Sequence, residues 1–327
     1  TAAGGPAEAV WETPQLDRWF YPFNTTPGTR ATMSLFGTTG NPLFDDRDGQ
    51  VLLRWDTSDL VPPGLGPDSY RVVSLRVTLT NATDGTVLYD ETVDPWTAYL
   101  PEDDPEATPD DPGSPLELFG VAGRNGFDPL TFPENGPYAP GDPIGTDIRN
   151  LYSVVFDAGG RAVAVDNNVR DGFTPTPWAV GRIDGLAAGD PIPAEAVFTF
   201  DVDLDLPGVQ QEFARQLDAG RVVVLLSSLQ RVVQQGGDFV TGFAKESVQV
   251  QIGLVDAATL TLVWEPVTAP PCPADVDGSG SVDFSDLLAV LAAFGPCAGC
   301  PADVNGSGAV DFTDLLTVLA DFGPCPE

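Results

Sequence analysis

The end of the chain says one thing twice. CPADVDGSGSVDFSDLLAVLAAFGPC runs from Cys272 to Cys297, and CPADVNGSGAVDFTDLLTVLADFGPC from Cys300 to Cys325. Each copy carries a helix-period apolar stripe, Leu287, Leu288, Leu291 and Phe294 in the first and Leu315, Leu316, Leu319 and Phe322 in the second. Neither short helix can bury such a stripe alone, so the two repeats are expected to pack on each other. All four cysteines of the chain sit here, at matching ends of the repeats, which reads as disulfides formed in an oxidising compartment. Bonds within each repeat are the expected arrangement: Cys272–Cys297 would close a 26-residue ring and stabilise by roughly 3 kcal/mol on the chain-entropy model. Cys272–Cys325, clasping the ends of the segment, is the rival. A four-cysteine zinc site is disfavoured, because only Cys297-Ala-Gly-Cys300 has knuckle spacing.

Between the cysteines, the twelve residues from Asp275 read D-V-D-G-S-G-S-V-D-F-S-D. Oxygen-bearing side chains fall at loop positions one, three, five, nine and twelve with glycine at six, the register in which a loop wraps a calcium ion in hard ligands. The expected ligands are the side chains of Asp275, Asp277, Ser279 and Asp286, the carbonyl of Ser281, and Asp283 through water. The second copy supplies Asp303, Asn305, Ser307, the carbonyl of Ala309, Asp311 and Asp314. Gly280 and Gly308 allow the sharp turn that brings both ends of each loop to one ion. Residues 272–327 hold nine acidic side chains and no basic one, so metal binding and folding are expected to be coupled. Asn305 replaces an anionic ligand with a neutral one and predicts weaker binding in the second loop.

Ligand spacing, helix placement and duplication together resemble a dockerin module, with Asp closing each loop and glycine also at position four (Gly278, Gly306). The resemblance implies two calcium ions that fold the module and a helix face that docks on a partner protein, a cohesin-like domain or another copy of this chain. Loop positions ten and eleven, which in that family contact the partner, are Phe284 and Ser285 in the first repeat and Phe312 and Thr313 in the second.

The preceding residues read differently. In VVSLRVTLT, Leu75, Val77 and Leu79 alternate with polar residues, and the same period recurs in TLTLVW and in ESVQVQIGL with Val248, Val250, Ile252 and Leu254. QVLLRWD, TVLYDETV, LYSVVFD, RAVAVD, VFTFDVDLDL and RVVVLLSSL are further predicted strands. So many strands between turn signals predict a mainly β fold, an antiparallel β-sandwich or jelly roll. One short helix interrupts it at PGVQQEFARQLDAG, where Val209, Phe213 and Leu217 share a face and Gly220 stops the helix. The expected organisation is a sandwich over 1–268, a stiff linker at 269–271 and the small α module of two calcium loop–helix repeats over 272–327. The order of strands and helix loosely resembles secreted DNRLRE-type β-sandwiches, some of which bind polysaccharide while others are adhesive or structural modules.

A formal charge of −33 repels nucleic acid and anionic membranes and attracts cations. The chain has no histidine and a single lysine, Lys245, so Ser227 and Ser228 lack an activating base and no catalytic constellation is recognisable. The expectation is therefore a protein that is not an enzyme. Two acidic groups in the large domain, Asp45/Asp46/Asp48 and Asp201/Asp203/Asp205 along one strand face, are candidate calcium sites, with a solvated face the favoured reading of both. The acidic stretch 101–115 is read as a solvated excursion, and most of the six tryptophans as core residues, although a sugar-stacking platform among them remains an alternative. The opening TAAGGPAEA suits the mature side of a signal-peptidase cut, so the expected location is secreted or cell-surface. These readings converge on a structural or adhesive extracellular subunit fastened by its tail, with head-to-tail homopolymerisation open to it. A carbohydrate-binding protein on a scaffold is the alternative, ahead of a polysaccharide hydrolase.

Overall fold

A computed structural model describes residues 5–85, 87–141, 144–232, 238–267, 272–297, 300–305 and 307–325; the expected linker 269–271 and Gly306 lie outside the described residues. The chain divides into two compact units, Thr1–Pro266 and Val267–Glu327. It is mainly β, with four short α-helices among the described residues: α1 (Val209–Asp218), α2 (Val248–Gln251), α3 (Phe284–Ala292) and α4 (Phe312–Ala320).

In the first unit, strands that alternate and strands that are apolar throughout have separate places. A four-stranded antiparallel sheet runs in the order Ala7–Trp11, Thr259–Pro266, Tyr70–Thr80, Val197–Asp201. Its strands alternate because only one face is covered: Leu75, Val77, Leu79, Leu260 and Leu262 are buried, whereas Arg76 on the opposite face is exposed. The larger sheet runs Leu16–Phe20, Gln50–Asp56, Arg221–Ser227, Glu117–Gly123, Leu151–Phe156, Ala162–Ala164, with Ala179–Val180 pairing to Glu117–Gly123. Val51, Leu53, Trp55, Val222, Val224 and Leu226 meet the four-stranded sheet in one core. Leu52, Val223 and Leu225, on the other side of the same strands, pack with Phe132 and Tyr138 in a second layer. Burial on both faces is the physical reason that VLLRW and VVVLLS have no polar alternation.

Helix α1 closes the core as its spacing predicts. Val209, Phe213 and Leu217 are fully buried, Phe213 meets Trp178 edge-on at 5.4 Å, and Gly220 takes a φ of 72° just past the helix end. The N-terminal strand Ala7–Trp11 pairs along its whole length with Thr259–Pro266 of the same chain.

Four local expectations need correction. ESVQVQIGL is not a strand: Ser247 caps α2 by accepting the Gln249 N–H at 3.2 Å, Gly253 ends the turn at φ 71°, and Val248, Ile252 and Leu254 are exposed. Local capping overrides alternation there. TVLYDETV likewise forms no strand among its described residues, only an isolated bridge from Leu88 to Pro191. The strand in VFTFDVDLDL ends at Asp201, so Asp201, Asp203 and Asp205 share no strand face; Asp201 instead receives Arg76 at 2.6 and 3.1 Å. Asp45, Asp46 and Asp48 are not a solvated cluster but are buried, each 1% exposed.

Hydrogen-bond donors meet all three. Asp45 accepts from Arg149 Nε at 2.7 Å, Asn167 Nδ2 at 2.7 Å and the Asp147 N–H at 3.0 Å. Asp46 accepts the Arg170 N–H at 2.8 Å, and Asp48 accepts the Thr38 hydroxyl at 3.0 Å. Desolvation opposes the charge on Asp45, but Arg149 and these donors outweigh it and hold its pKa below the ordinary carboxylate value. Arg47 pairs with buried Glu117 in the same region. Arg149 thus keeps Asp45 charged, whereas burial outweighs the donors at Asp46 and raises its pKa, and at Asp48 pushes it up to about 7.

Burial sets the expected cost of mutation. Phe213→Ala should lower the stability of the first unit by about 3–5 kcal/mol in urea denaturation. Val248→Ala should change it by less than about 0.5 kcal/mol, the value for an exposed position rather than for a core strand.

Candidate metal centre

The second unit is built by exchange between its two halves. Ser281–Val282, within the first loop, pairs antiparallel with Gly323–Pro324 after α4, and Ala309–Val310, within the second loop, pairs with Gly295–Pro296 after α3. The Cys325 N–H donates to the Gly280 carbonyl at 3.1 Å and the Cys297 N–H to the Gly308 carbonyl at 3.1 Å. Each loop is therefore completed by the tail of the other repeat. The disulfides follow the same rule. Cys272 bonds Cys325 and Cys297 bonds Cys300, so the opening cysteine of each repeat joins the closing cysteine of the other. Bonds within each repeat, the expected arrangement, do not form, because the loop and tail that lie side by side belong to different copies.

The shared core is Ala274, Val282 and Val290 with their counterparts Ala302, Val310 and Val318, flanked by half-buried Leu287 and Leu315. This corrects the expected stripes. Leu288, Leu291 and Phe294, and Leu316, Leu319 and Phe322, do not face the other repeat but lie on the surface with Phe284 and Phe312. Asp286 and Val290 occupy the inner face of α3 at a spacing of four, leaving positions 284, 288 and 291 outward. The signal was present in FSDLLAVLA, which is too apolar for a helix with only one buried side.

The two loops repeat one set of bonds. Asp275 accepts the N–H groups of Ser279 at 3.0 Å and Gly280 at 2.8 Å, and Asp303 accepts those of Ser307 at 2.9 Å and Gly308 at 2.8 Å. Asp277 and Asn305 also receive the Ser279 and Ser307 N–H groups, at 3.0 and 2.9 Å. Ser279 Oγ donates to the Ser281 carbonyl at 3.1 Å and Ser307 Oγ to the Ala309 carbonyl at 3.0 Å, so the expected ligands at positions five and seven adjoin each other. Gly280 and Gly308 adopt φ of 87° and 90°, where a side chain would be strained.

Position twelve anchors each loop. Buried Asp286 receives the N–H groups of Val276 at 2.7 Å, Asp277 at 3.0 Å and Asp283 at 2.8 Å. Asp314 receives those of Asn305 at 3.1 Å and Asp311 at 2.9 Å. Desolvation raises the pKa of Asp286, but the three backbone donors outweigh it and keep the value below that of a free carboxylate. At Asp314 the Asp311 N–H leads the same lowering. Both groups stay anionic, as a cation ligand must. Asp283 and Asp311 have a role beyond the expected water-mediated contact: they cap α3 and α4, accepting the Ser285 and Thr313 N–H groups at 2.6 and 2.7 Å.

Oxygens of Asp275, Asp277 and Asp286 lie within 4.8 Å of one another. Two oxygens bound to one calcium ion at about 2.3–2.6 Å can stand no more than roughly 5 Å apart, so the donor set fits a hard cation in both spacing and chemistry. The second loop repeats most of these bonds with one carboxylate fewer, at Asn305. No helix among the described residues is long and apolar enough to cross a membrane. Comparison of the chain with family models and with curated proteins finds no match to either.

The crossed disulfides should contribute unequally. On the chain-entropy model the Cys272–Cys325 bond, spanning 53 residues, stabilises by about 4 kcal/mol, and Cys297–Cys300, spanning 3, by about 2 kcal/mol. Replacing the first pair by serine should therefore destabilise the module about twice as much as replacing the second, measured by urea titration in saturating calcium. Non-reducing peptide mapping should recover Cys272 linked to Cys325.

Proposed function

We propose that this protein is a secreted, non-enzymatic structural or adhesive subunit whose C-terminal module binds two calcium ions and fastens the β-sandwich to a protein partner. The observation that carries this reading is the outward apolar face on each module helix. Phe284, Leu288, Leu291 and Phe294, and Phe312, Leu316, Leu319 and Phe322, are each between 48% and 63% exposed. Eight large apolar side chains so exposed on one small unit mark an interaction surface. The module core is already filled by valines and alanines, so these residues are not needed to hold it together. Ser285 and Thr313, at the N-terminal ends of the same faces, are exposed and offer hydroxyls to a partner rim.

Calcium gives the attachment its condition. The loops carry α3 and α4 on their closing residues, so an ion that gathers Asp275, Asp277 and Asp286 also fixes the helix that follows. Chelation is therefore a means of releasing the partner. Two partners fit: a distinct receptor domain, or the sandwich of another copy, which would propagate head to tail. For carbohydrate binding the tryptophans offer little support, because Trp11, Trp55, Trp178 and Trp264 are in the sandwich core.

Two measurements test this reading. Calorimetry should resolve two calcium affinities, with Asn305→Asp raising only the weaker; equal affinities, or no binding, would contradict it. Sedimentation and electron microscopy with calcium and after chelation distinguish a copy from a separate receptor. Leu288→Asp with Leu316→Asp should abolish any calcium-dependent association at least tenfold while leaving calcium uptake intact.

A further inference from the structure

The acidic excursion 101–115 does not simply leave the sandwich; it comes back onto a pair of buried carboxylates. Asp90 is 2% and Asp94 8% exposed, while Asp111 sits at the surface above them. One carboxylate oxygen from each lies within 4.8 Å of the others. Asp90 Oδ1 accepts both the N–H and the hydroxyl of Thr92 at 2.8 Å, but its buried Oδ2 has no hydrogen-bond partner. The Thr92 hydroxyl also reaches Asp111 Oδ2 at 3.3 Å, and Tyr99 donates its hydroxyl to Asp94 Oδ2. Gly113, at φ 113°, lies so close that a Cβ there would stand 2.9 Å from Asp90 Cβ and 2.9 Å from the Leu88 carbonyl oxygen.

We propose that Asp90, Asp94 and Asp111 form a hard-cation site of the sandwich unit, separate from the loops of the C-terminal module, in which calcium pins the acidic excursion to the fold. A second acidic group of the same unit supplies the contrast. Asp17, Glu134 and Glu246 also bring carboxylate oxygens within 4.8 Å of one another, but the ammonium of Lys245 is among them, 2.8 Å from Asp17 and 3.4 Å from Glu246 and bonded to Glu134. The chain's single lysine is spent there. Among the described residues no base makes an ion pair with Asp90, Asp94 or Asp111. Arg47 is taken by Glu117, and Arg231, which acts on Asp110 from a distance, bonds the Leu100 carbonyl at 3.1 Å and the Thr39 hydroxyl at 3.0 Å. Asp110 adds negative charge beside them and hydrogen-bonds Asp94. The all-oxygen donor set favours calcium over the softer transition metals.

The module contains no tryptophan or tyrosine, whereas Tyr99 touches Asp94. Terbium luminescence excited through tyrosine and tryptophan therefore reads the sandwich site on the full chain. We expect emission that calcium displaces, and a drop of at least tenfold in the Asp94→Asn/Asp111→Asn variant, whose calcium stoichiometry by equilibrium dialysis falls by one per chain. Calcium should also slow glutamyl-endopeptidase cleavage at Glu102 and Glu106 in the parent but not in the variant. Asp111→Asn alone, at an exposed position, guards against misfolding and should weaken displacement by calcium at least tenfold. Unchanged emission and stoichiometry in both variants would overturn the site. Asn substitutions at Asp275 and Asp303 should leave the emission unchanged, which separates this site from the module loops.

Discussion

Concentrated negative charge is the constraint on which the rest of this molecule turns. Two short repeats without one basic side chain are packed so that each loop is completed by the other's tail, and the carboxylates of both are drawn inward by backbone N–H groups. Hydrogen bonds orient those oxygens but do not cancel their charge. On the reading proposed here cations from solution would balance the repulsion, and the convergence of Asp275, Asp277 and Asp286 would provide the place. Duplication follows from the same geometry, since a single repeat would have neither its second short strand nor a partner for its end cysteine.

The sandwich unit meets the same problem with different means. Arg149 lies against Asp45, Arg47 against Glu117 and Lys245 against Asp17, all at buried or half-buried positions. Removing one member of such a pair would leave an uncompensated charge in the interior, so the network specifies its own partners. Asp90 and Asp94 have no base paired to them among the described residues, and Asp90 Oδ2 is buried without a donor. The small unit and the large one differ less in their chemistry than in how many arginines they hold.

Much of this was legible from residues alone. Alternation located the strand at Leu75, Val77 and Leu79, helical spacing located α1, and in the first loop three of the expected ligands, Asp275, Asp277 and Asp286, come together. What failed did so for identifiable reasons. Alternation in ESVQVQIGL is a local pattern, and the Ser247 cap and Gly253 turn decide the outcome. FDDRDGQ looked solvated because its partners, Arg149, Asn167 and Arg170, lie more than a hundred residues away in sequence. The disulfide pairing was misjudged because spacing within one repeat carries no information about exchange between two. In the helices, an apolar stripe identified the face that looks outward, and only the packed core showed that the smaller Val290 and Val318 turn in.

The claim that cations hold the small unit together is tested most directly by hydrogen exchange of the intact protein, followed by mass spectrometry, in calcium and in chelator. With calcium removed, amides of α3, α4 and their loops should exchange roughly a hundredfold faster or more, while the core strands at Gln50–Asp56 and Arg221–Ser227 keep their protection. Equal protection of the helices in both conditions would contradict the account, because the carboxylates would then be tolerated without any ion to balance them.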